Sequence, residues 1–394
     1  MKMQSHSPMQ TAAAEFAMIL GAFVLGTSEF VSMGLLPEMA NTTGVPVAVA
    51  GDYITAYAVG VVVGAPLIAA LAARVPRNTL LIGLLLLCVI GNALSGIAAN
   101  FGLVLTARFL SGLPQGAFFG VAALVAAMLA GPHKRTQAIA RIMTGLSIAN
   151  LVGAPIGTYI GEHTTWHVTY LVLAILAALA ALICSIAVPA IPASHGASPL
   201  RELSALTKPQ VWLTFAIGAV GLAGLFSLYT FLVPILEDIT GMSKTSVPIV
   251  LAIVGLGMFV GNFFGGWLAD KGVMRAIGVI LLFNLVVLMS FFFSVHSHVV
   301  VCVSVFFAGF TSLALVPPLQ ARLMDVAGHA QALGAMLNGC AINLANAVGA
   351  VMGAMAIGSN LGPASTGLVG AAMSGAGFIV FAISLATERR AAVA

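Results

Sequence analysis

The stretch Gly26-Thr-Ser-Glu-Phe-Val-Ser-Met-Gly-Leu-Leu-Pro37 places an acid, Glu29, in the middle of an apolar run. An acidic side chain at membrane depth costs about 3 kcal/mol on insertion scales. A chain that keeps such an acid usually uses it to carry protons or to bind a cation. The alternative is an acid near a helix end whose carboxylate merely reaches water. In both cases the apolar residues around Glu29 predict a membrane-spanning helix.

The composition indicates that this helix is one of many of its kind. The chain has 394 residues, of which 60% are hydrophobic and 7% charged, with a mean hydropathy of +1.11. Soluble domains carry roughly 25% charged residues, so the solvent for this much apolar surface must be lipid. The net charge of +4 comes without a basic run interleaved with aromatics, which argues against nucleic acid as a partner. All four cysteines fall inside apolar runs without metal-ligand spacing, so neither a metal nor another cofactor is expected.

Apolar runs long enough to cross a bilayer recur along the chain. A crossing needs about 20 residues, and by that measure we count roughly twelve. They lie near residues 14–36, 49–71, 79–98, 101–129, 138–160, 168–189, 210–236, 247–269, 275–294, 299–320, 332–357 and 366–386.

The lysines and arginines give these spans an orientation. If the N-terminus is cytoplasmic and the spans alternate, all fifteen except Lys244 and Arg108 fall on the cytoplasmic side, as the positive-inside rule requires. An even number of spans then leaves both termini in the cytoplasm. The longest gap, at about 190–209, is rich in proline, serine and glycine. It predicts a cytoplasmic linker between two six-helix bundles, residues 1–189 and 210–394.

The two halves contain the same short motifs in the same order, about half a chain apart. The pairs are Gly60 and Gly64 with Gly257 and Gly261, Leu71–Arg74 with Leu268–Lys271, and Asn150–Gly157 with Asn346–Gly353. Such repetition indicates two parallel repeats with a binding site between them near mid-membrane. We therefore predict an all-α polytopic membrane protein whose roughly twelve transmembrane helices form two pseudo-symmetric halves.

Arg108 is the only basic residue that the sequence places at membrane depth. The fourth span begins near Phe101 and the first ends near Leu36, so Arg108 and Glu29 each lie seven residues, roughly 10 Å, from the outer end. An acid and a base at matching depth can share their desolvation cost by pairing. We hypothesise that the two residues pair, directly or through water, and that the pair changes when Glu29 takes a proton. The alternative is an arginine that binds backbone carbonyls for structural reasons.

Side chains on one face of the fourth span have the composition of a cavity wall. Helical spacing brings together Arg108, Gly112, Gln115 and Phe119. An ordinary packing face would be apolar throughout. The predicted substrate-binding residues are Tyr57, Gln115, Phe119, Asn150, Phe226, Tyr229 and Asn338. For each single aromatic, ordinary packing is the alternative.

The fifth span is predicted to be thin and kinkable. It contains Gly145, Gly153, Pro155 and Gly157. The glycines permit close helix contact and the proline frees a backbone carbonyl. Such a helix suits a bundle whose halves rock against each other, although generic tight packing would account for the glycines equally well.

These residues together resemble the major facilitator superfamily, and within it the twelve-span drug:proton antiporters of the sugar and drug efflux branch. The stretch Gly26–Pro37 is similar to the first-span signature of that branch. Ala107–Phe119 is similar to the fourth-span arginine motif of the superfamily, and Gly145–Gly157 to the antiporter motif of its exporters. The resemblance covers nearly the whole chain. Gly-Ala-Pro155 stands where the family usually has Gly-Pro.

The loop between spans 2 and 3 departs further from the family pattern. The pattern reads Gly-x-Leu-x-Asp-Arg-x-Gly-Arg-Arg/Lys, and Ala69–Asn78 lacks both glycines and the acid that helps the family to lock the outward-facing state. The counterpart in the second half, Gly266–Arg275, keeps its acid, which we predict contacts a basic residue or a helix end. The residues assigned to gating are Arg74, Arg77, Asp270 and Arg275, together with Gly145, Gly153, Pro155 and Gly157.

The resemblance implies an exporter of the bacterial inner membrane that works as a monomer by alternating access, without a cofactor and driven by the proton gradient. Its substrate would be a small amphipathic drug such as chloramphenicol, or a sugar or other metabolite. Proton-coupled uptake, or export of a nucleoside or sugar with no drug role, remains an alternative. A polytopic membrane enzyme would need catalytic residues clustered at one face, and a sensor would need a sizeable output domain. The sequence offers neither, so we do not expect an enzyme.

Overall fold

The computed structural model describes residues 8–131, 134–193, 198–243, 246–358 and 362–393, and within these ranges the backbone forms helices and no strand. Lys2 and Lys244, which contribute to the predicted orientation, lie outside them. The long helices of the first half are α1 (Pro8–Gly34), α4 (Asp52–Leu71), α5 (Arg77–Ile97), α6 (Phe101–Ala130), α7 (Arg135–Ile148) continued by α8 (Ala154–His163), and α9 (Trp166–Ala187). Short helices are α2 (Leu36–Thr43), α3 (Val47–Ala50) and α10 (Pro199–Leu203).

The long helices of the second half follow in the same order as those of the first. They are α11 (Pro209–Gly221) continued by α12 (Ala223–Tyr229), α14 (Val247–Asp270), α15 (Val273–Ser294), α16 (His298–Ala327), α17 (Gln331–Gly358) and α18 (Thr366–Val393). The short helix α13 (Leu232–Pro234) follows α12. These elements correspond to spans seven to twelve of the sequence analysis.

Helix length and hydropathy support the predicted number of crossings. In the described residues, eleven helical segments are long and apolar enough to cross a membrane. One of them, His298–Ile357, has 60 residues and contains both α16 and α17, which are joined by a 3₁₀ turn at Gly328–Ala330. With that segment counted as two crossings, the predicted twelve spans are confirmed for the described chain.

Local sequence signals set the ends of α6, the helix that carries Arg108. At its start, the side chain of Asn100 accepts a hydrogen bond from the backbone N–H of Leu103 at 3.0 Å, as an N-cap residue does. At its end, Gly131 has a φ of 76°, which glycine adopts without steric cost. The helix is therefore delimited by residues whose side chains, or lack of one, suit the two ends.

The chain divides into two compact units. The first contains Met1–Ser204 together with His329–Gly339, and the second contains Ala205–Gly328 together with Cys340–Ala394. The linker helix α10 therefore belongs to the first unit. The start of α17 also belongs to the first unit, and the rest of that helix belongs to the second.

The same glycine contacts hold one helix pair in each unit. In the first unit, Gly60 and Gly64 of α4 face the backbone carbonyls of Phe109 and Leu113 on α6 so closely that a methyl group would overlap them. In the second unit, α14 and α16 make the same contacts. Gly257 faces the backbone carbonyl of Phe306 and Gly261 that of Phe310, and each of these residues lies at the same distance along the chain from its counterpart in the first unit. The internal repeat predicted from the sequence is thus present in the packing.

Candidate functional site

Arg108 is fully buried in the first unit, where α1, α5 and α6 meet. Its Nη2 donates to the backbone carbonyl of Ser28 at 2.8 Å, and its Nη1 donates to the Ser28 hydroxyl at 3.2 Å. That hydroxyl in turn donates to Oδ1 of Asn92 at 2.7 Å. Asn92 is itself fully buried and donates to the carbonyl of Cys88 at 3.0 Å. The guanidinium therefore has neutral oxygen acceptors around it.

Two tyrosines complete the surroundings of the guanidinium. Its central carbon lies 4.4 Å from the ring centroid of Tyr57 and 5.2 Å from that of Tyr170, within the range of cation–π attraction. Tyr57 donates to the carbonyl of Leu25 at 3.2 Å, and the Tyr170 hydroxyl is 2.9 Å from that of Ser32. We call Ser28, Tyr57, Asn92, Arg108 and Tyr170 the Arg108 network.

Glu29 lies beside this network with a different partner. Its side chain is buried, with 8% of the residue exposed, and Oε2 accepts a hydrogen bond of 2.6 Å from Nε2 of Gln115. Gln115 is on α6, seven residues after Arg108, so the two side chains share the face predicted from helical spacing. Helix α1 presents Ser28 to the arginine and the adjacent Glu29 to the glutamine.

The direct pair hypothesised from the sequence is not formed in this structure. No ion pair within 4.0 Å joins Glu29 and Arg108, both of which lie in described residues. Arg108 instead binds the Ser28 carbonyl, as the structural alternative anticipated. The reason is local: a hydroxyl and a carbonyl of one residue accept from Nη1 and Nη2, while Nε is buried without a partner among the described residues. The amide of Gln115 donates to the carboxylate of Glu29. The two charges thus lie in one cluster while each binds a neutral partner.

The predicted cavity wall on α6 is closely packed within the first unit. Gly112 faces the backbone carbonyl of Tyr57, and Phe119 packs edge-on against Phe118 with ring centroids 6.3 Å apart. In the described residues, Oε1 of Gln115 is buried without a hydrogen-bond partner. This face therefore offers one unused acceptor among side chains that are otherwise packed.

The glycines of the fifth span pack against α1, the helix that carries Glu29. A methyl group at Gly145 would meet the backbone of Ile19, and one at Gly153 would meet the hydroxyl of Thr27. Between α7 and α8 the helix widens into a π-helical turn at Ala149–Gly153. Pro155 follows at the start of α8 and has no N–H for the ordinary helical bond, which accounts for the irregular turn before it.

The remaining predicted substrate residues lie in several places. Asn150 is half-buried within the π-helical turn. Asn338 is buried on α17, in the segment that belongs to the first unit. Phe226 and Tyr229 are half-buried on α12 in the second unit, and Tyr229 packs against its apolar core. The structure thus places Tyr57 against Arg108 and Gln115 against Glu29, and among the described contacts Asn150 has none with either charged residue.

The charged residues among the predicted gating set lie at or near helix ends. Arg77 is buried at the start of α5, and its Nη2 is 3.9 Å from Oε1 of Glu202, whereas Arg74 is exposed. Asp270 is half-buried at the last position of α14, and its contact with a basic residue or a helix end stays a prediction. Arg275 is exposed at the start of α15.

Sequence reasoning missed Ser28, Asn92 and Tyr170 as members of the network. An asparagine within an apolar span was a usable signal for Asn92, because a polar group buried there must find hydrogen-bond partners. The structure shows Asn92 fully buried. Tyr170 lies too far along the chain from Arg108 for any spacing rule to connect the two. Among the described residues, no group of three or more His, Cys, Asp or Glu side chains could hold a metal ion.

A family model and several known proteins match this chain over most of its length. The family model described as "Major Facilitator Superfamily" matches residues 18–350. The chain is 36% identical over 368 residues to the "Inner membrane transport protein YdhP" of Escherichia coli (strain K12), covering 93% of this chain and 95% of that protein. It is 32% identical over 355 residues to the "Chloramphenicol resistance protein" of Streptomyces lividans, covering 88% of this chain and 91% of that protein.

A solved structure shares the fold at lower identity. The E. coli fucose:proton symporter FucP aligns with a TM-score of 0.76 at 16% identity, covering 94% of this chain and 98% of that one. At this identity the likeness concerns the fold alone.

Proposed function

The chain belongs to the Major Facilitator Superfamily and is a multi-pass membrane transporter, and we propose that it exports small amphipathic compounds in exchange for protons bound at Glu29. In this proposal the protein lies in a bacterial inner membrane with both termini in the cytoplasm. The orientation follows from the positive-inside rule applied to its lysines and arginines.

The observation that carries the proposal is the pairing of Glu29 with Gln115. An amide can serve a carboxyl group in both protonation states, since its N–H₂ donates to a carboxylate and its oxygen accepts from a carboxylic acid. Gln115 presents its N–H₂ to Glu29 and has an unused buried oxygen in the described structure. A half-turn of the Gln115 amide would exchange the positions of its nitrogen and its oxygen. The protonation state of Glu29 would then decide which of the two atoms faces the carboxyl group. Glu29 can therefore gain or lose a proton while it keeps its partner.

The position of Arg108 supports the same role for Glu29. Because the guanidinium binds Ser28 and lies over two tyrosine rings, protonation of Glu29 does not break an ion pair. The nearby positive charge still attracts a carboxylate more than a carboxylic acid. A cationic or polarised substrate near Glu29 would favour loss of the proton for the same reason. Proton and substrate would then weaken each other's binding, which is what an exchanger requires.

The proposed cycle follows from these properties. In the outward-facing state Glu29 takes a proton, and in the inward-facing state it releases the proton as substrate binds from the cytoplasm or the inner leaflet. Each proton moved down the membrane potential supplies about 2.3 kcal/mol per 100 mV. The second half has no acid near the matching place on α12, where Leu228 and Tyr229 stand, so proton coupling would belong to the first half.

The direction and the substrate class rest on resemblance. The antiporter motif of the fifth span is typical of exporters, and one relative is named for chloramphenicol resistance. The tyrosines and phenylalanines of the predicted site suit amphipathic molecules with an aromatic or sugar ring.

A growth-inhibition panel tests the proposal. Drugs and sugars are applied to a pump-deficient host that produces the wild type, Glu29→Gln, or the control Glu162→Gln, in which an exposed carboxylate at the end of α8 is changed. We expect the wild type and the control to raise the tolerated concentration of at least one compound and Glu29→Gln to lose this effect at equal membrane abundance. Full protection by Glu29→Gln would contradict the role of Glu29 in driving export. Counterflow in inverted vesicles then fixes the direction.

A further inference from the structure

An open groove lies in the first unit between the starts of α4 and α6. Its volume of about 460 Å³ falls within the range of about 300–1,000 Å³ that small-molecule sites occupy. Tyr53 packs against Phe101 with ring centroids 5.2 Å apart, and seven residues later Gly60 faces the carbonyl of Phe109. The two helices therefore run in the same direction, with their starts at one end of the groove. The groove is lined mainly by Asp52, Thr55, Val59, Leu105, Thr106 and Phe109.

The polar side chains of this groove offer hydrogen-bond acceptors. The Thr106 hydroxyl donates to the carbonyl of Gly102 at 2.8 Å, and the Thr55 hydroxyl donates to that of Gly51 at 3.4 Å. With its proton committed to the backbone, each hydroxyl can only accept from a ligand. Asp52 is exposed, and none of the described hydrogen bonds or ion pairs uses its carboxylate. Since no described lining residue is basic, the groove suits a cationic donor and not an anion.

The polar and apolar parts of the groove follow each other along the helices. Asp52 and Thr55 lie in the first turn of α4, and Thr106 lies in the second turn of α6. Val59 is seven residues past Asp52, about 10 Å further along the helix. It is 47% exposed, and Phe109 is half-buried beside the contact with Gly60. A ligand that fills the groove therefore has a cationic end and an apolar body.

We propose that this groove, the α4–α6 groove, binds a small amphipathic primary amine. The ammonium group donates to the carboxylate of Asp52 and to the hydroxyls of Thr55 and Thr106, and the apolar body lies against Val59 and Phe109. A primary ammonium has three N–H donors, which match the three acceptors. A phospholipid with an amine head would bring a phosphate as well, for which the described groove has no basic partner.

The proposal goes beyond the proposed exchange of protons for an exported compound. None of the residues that line the groove belongs to the Arg108 network, and none of the described contacts joins them to Glu29. A failure of the Glu29 experiment would therefore leave the proposal standing, and its own test measures binding without measuring transport.

The test is the equilibrium binding of radiolabelled phenylbutylamine to the purified full chain in discs of phosphatidylcholine. The amine also dissolves in the bilayer, so the bound amount is the part that an excess of unlabelled amine displaces. The wild type is compared with Asp52→Asn and Val59→Trp, both changed at exposed positions. The matched control is Glu162→Gln, in which an exposed carboxylate at the end of α8 is changed.

We expect Asp52→Asn to bind the amine about fivefold more weakly than the wild type, the size of effect that an exposed ion pair can have. Phenylbutanol, measured by its displacement of the amine, should bind both proteins equally, because it lacks the charge and keeps the apolar body. Val59→Trp, whose indole fills the groove, should lose the displaceable binding, and Glu162→Gln should match the wild type. Unweakened binding of the amine by Asp52→Asn or by Val59→Trp would overturn the proposal.

Two further arms identify the occupant. The N-trimethyl derivative of the amine keeps the charge without the donors, so it should bind the wild type less tightly than the amine, and equal affinity would overturn the assignment to a primary amine. In discs that contain phosphatidylethanolamine, the wild type should keep its affinity for phenylbutylamine. Loss of that affinity would show that the lipid head group occupies the groove and would overturn the assignment to a small molecule.

Discussion

Substitution of Arg108 by lysine removes planar geometry while it keeps the positive charge. In the structure, two nitrogens of the guanidinium bind one residue, Ser28, at 2.8 and 3.2 Å, and its central carbon lies 4.4 Å and 5.2 Å from the ring centroids of Tyr57 and Tyr170. A lysine can reach the Ser28 carbonyl with its ammonium group, but it lacks the forked pair of nitrogens that binds both oxygens of Ser28 and the delocalised cation beside the two tyrosine rings.

The magnitude follows from what is lost. One hydrogen bond from a charged donor contributes about 1.5–3 kcal/mol, and a desolvated cation–π contact contributes about 2 kcal/mol. The free energy of unfolding should therefore fall by about 4 kcal/mol. At about 2–4 °C per kcal/mol for a unit of this size, the apparent unfolding temperature of Arg108→Lys should fall by about 10 °C.

The assay is thermal unfolding of the purified protein in detergent, with Arg322→Lys as the matched control. Arg322 also binds with two nitrogens, but its partner Glu388 has a half-exposed side chain, and such pairs contribute about 0–1 kcal/mol. A shift for Arg108→Lys no larger than that for Arg322→Lys would refute the view that the Arg108 network holds α1 against α6. Arg108 would then act on Glu29 through its charge and contribute little to the stability of the fold.

Two further predictions concern the helix contacts and the amide partner. Gly64→Ala places a methyl group against the carbonyl of Leu113, so unfolding in detergent should occur at a lower temperature, whereas Gly83→Ala, with nothing within 4 Å, should unfold at the same or a higher temperature. Equal shifts for the two variants would argue against the glycine contacts between α4 and α6. Gln115→Leu leaves the carboxylate of Glu29 without its donor at a cost of about 1.5–3 kcal/mol. Proton-driven transport in vesicles should then fall at least about tenfold, and an unchanged rate would show that this hydrogen bond has no part in coupling.

Most of the fold could be predicted because the bilayer imposes a simple rule. Each crossing needs about 20 apolar residues, so hydropathy alone located the long helices to within several residues. The internal repeat could also be predicted from the sequence. A second helix pair packed like α4 and α6 needs glycines at the same spacing as Gly60 and Gly64, because a side chain there would overlap the partner backbone. The helix ends were less certain: α16 extends to Ala327, beyond the predicted end at 320.

The site could be predicted only in part. Helical spacing put Arg108 and Gln115 on one face of α6, and in the structure they bind the adjacent residues Ser28 and Glu29 of α1. Neither helical spacing nor matching depth could show that Arg108 would bind the Ser28 carbonyl. Ser28 and Glu29 are adjacent on α1, so a small rotation of that helix about its axis decides which of them faces the guanidinium. Asn92 and Tyr170 come from other helices, and no periodicity in one helix reveals a contact with another.

The linker gave the least information from its sequence. Proline, serine and glycine indicate a connection between bundles, and a single glutamate within such a segment is usually exposed. Glu202 is buried because α10 packs on α4 and the start of α17 covers it, which are contacts between segments more than a hundred residues apart. Only the folded chain shows that this acid is buried beside Arg77 and accepts a hydrogen bond from the backbone of Leu333.

Transport by Glu29→Gln in reconstituted vesicles, with the compound that the growth panel identifies, shows whether Glu29 carries the coupling proton. Two rates are compared with the wild type: accumulation driven by a pH gradient, and exchange of labelled for unlabelled compound without a gradient. If Glu29 carries the coupling proton, Glu29→Gln continues to exchange the compound but no longer accumulates it in response to the gradient. Accumulation equal to that of the wild type would show that the proton travels by another group and would contradict the account.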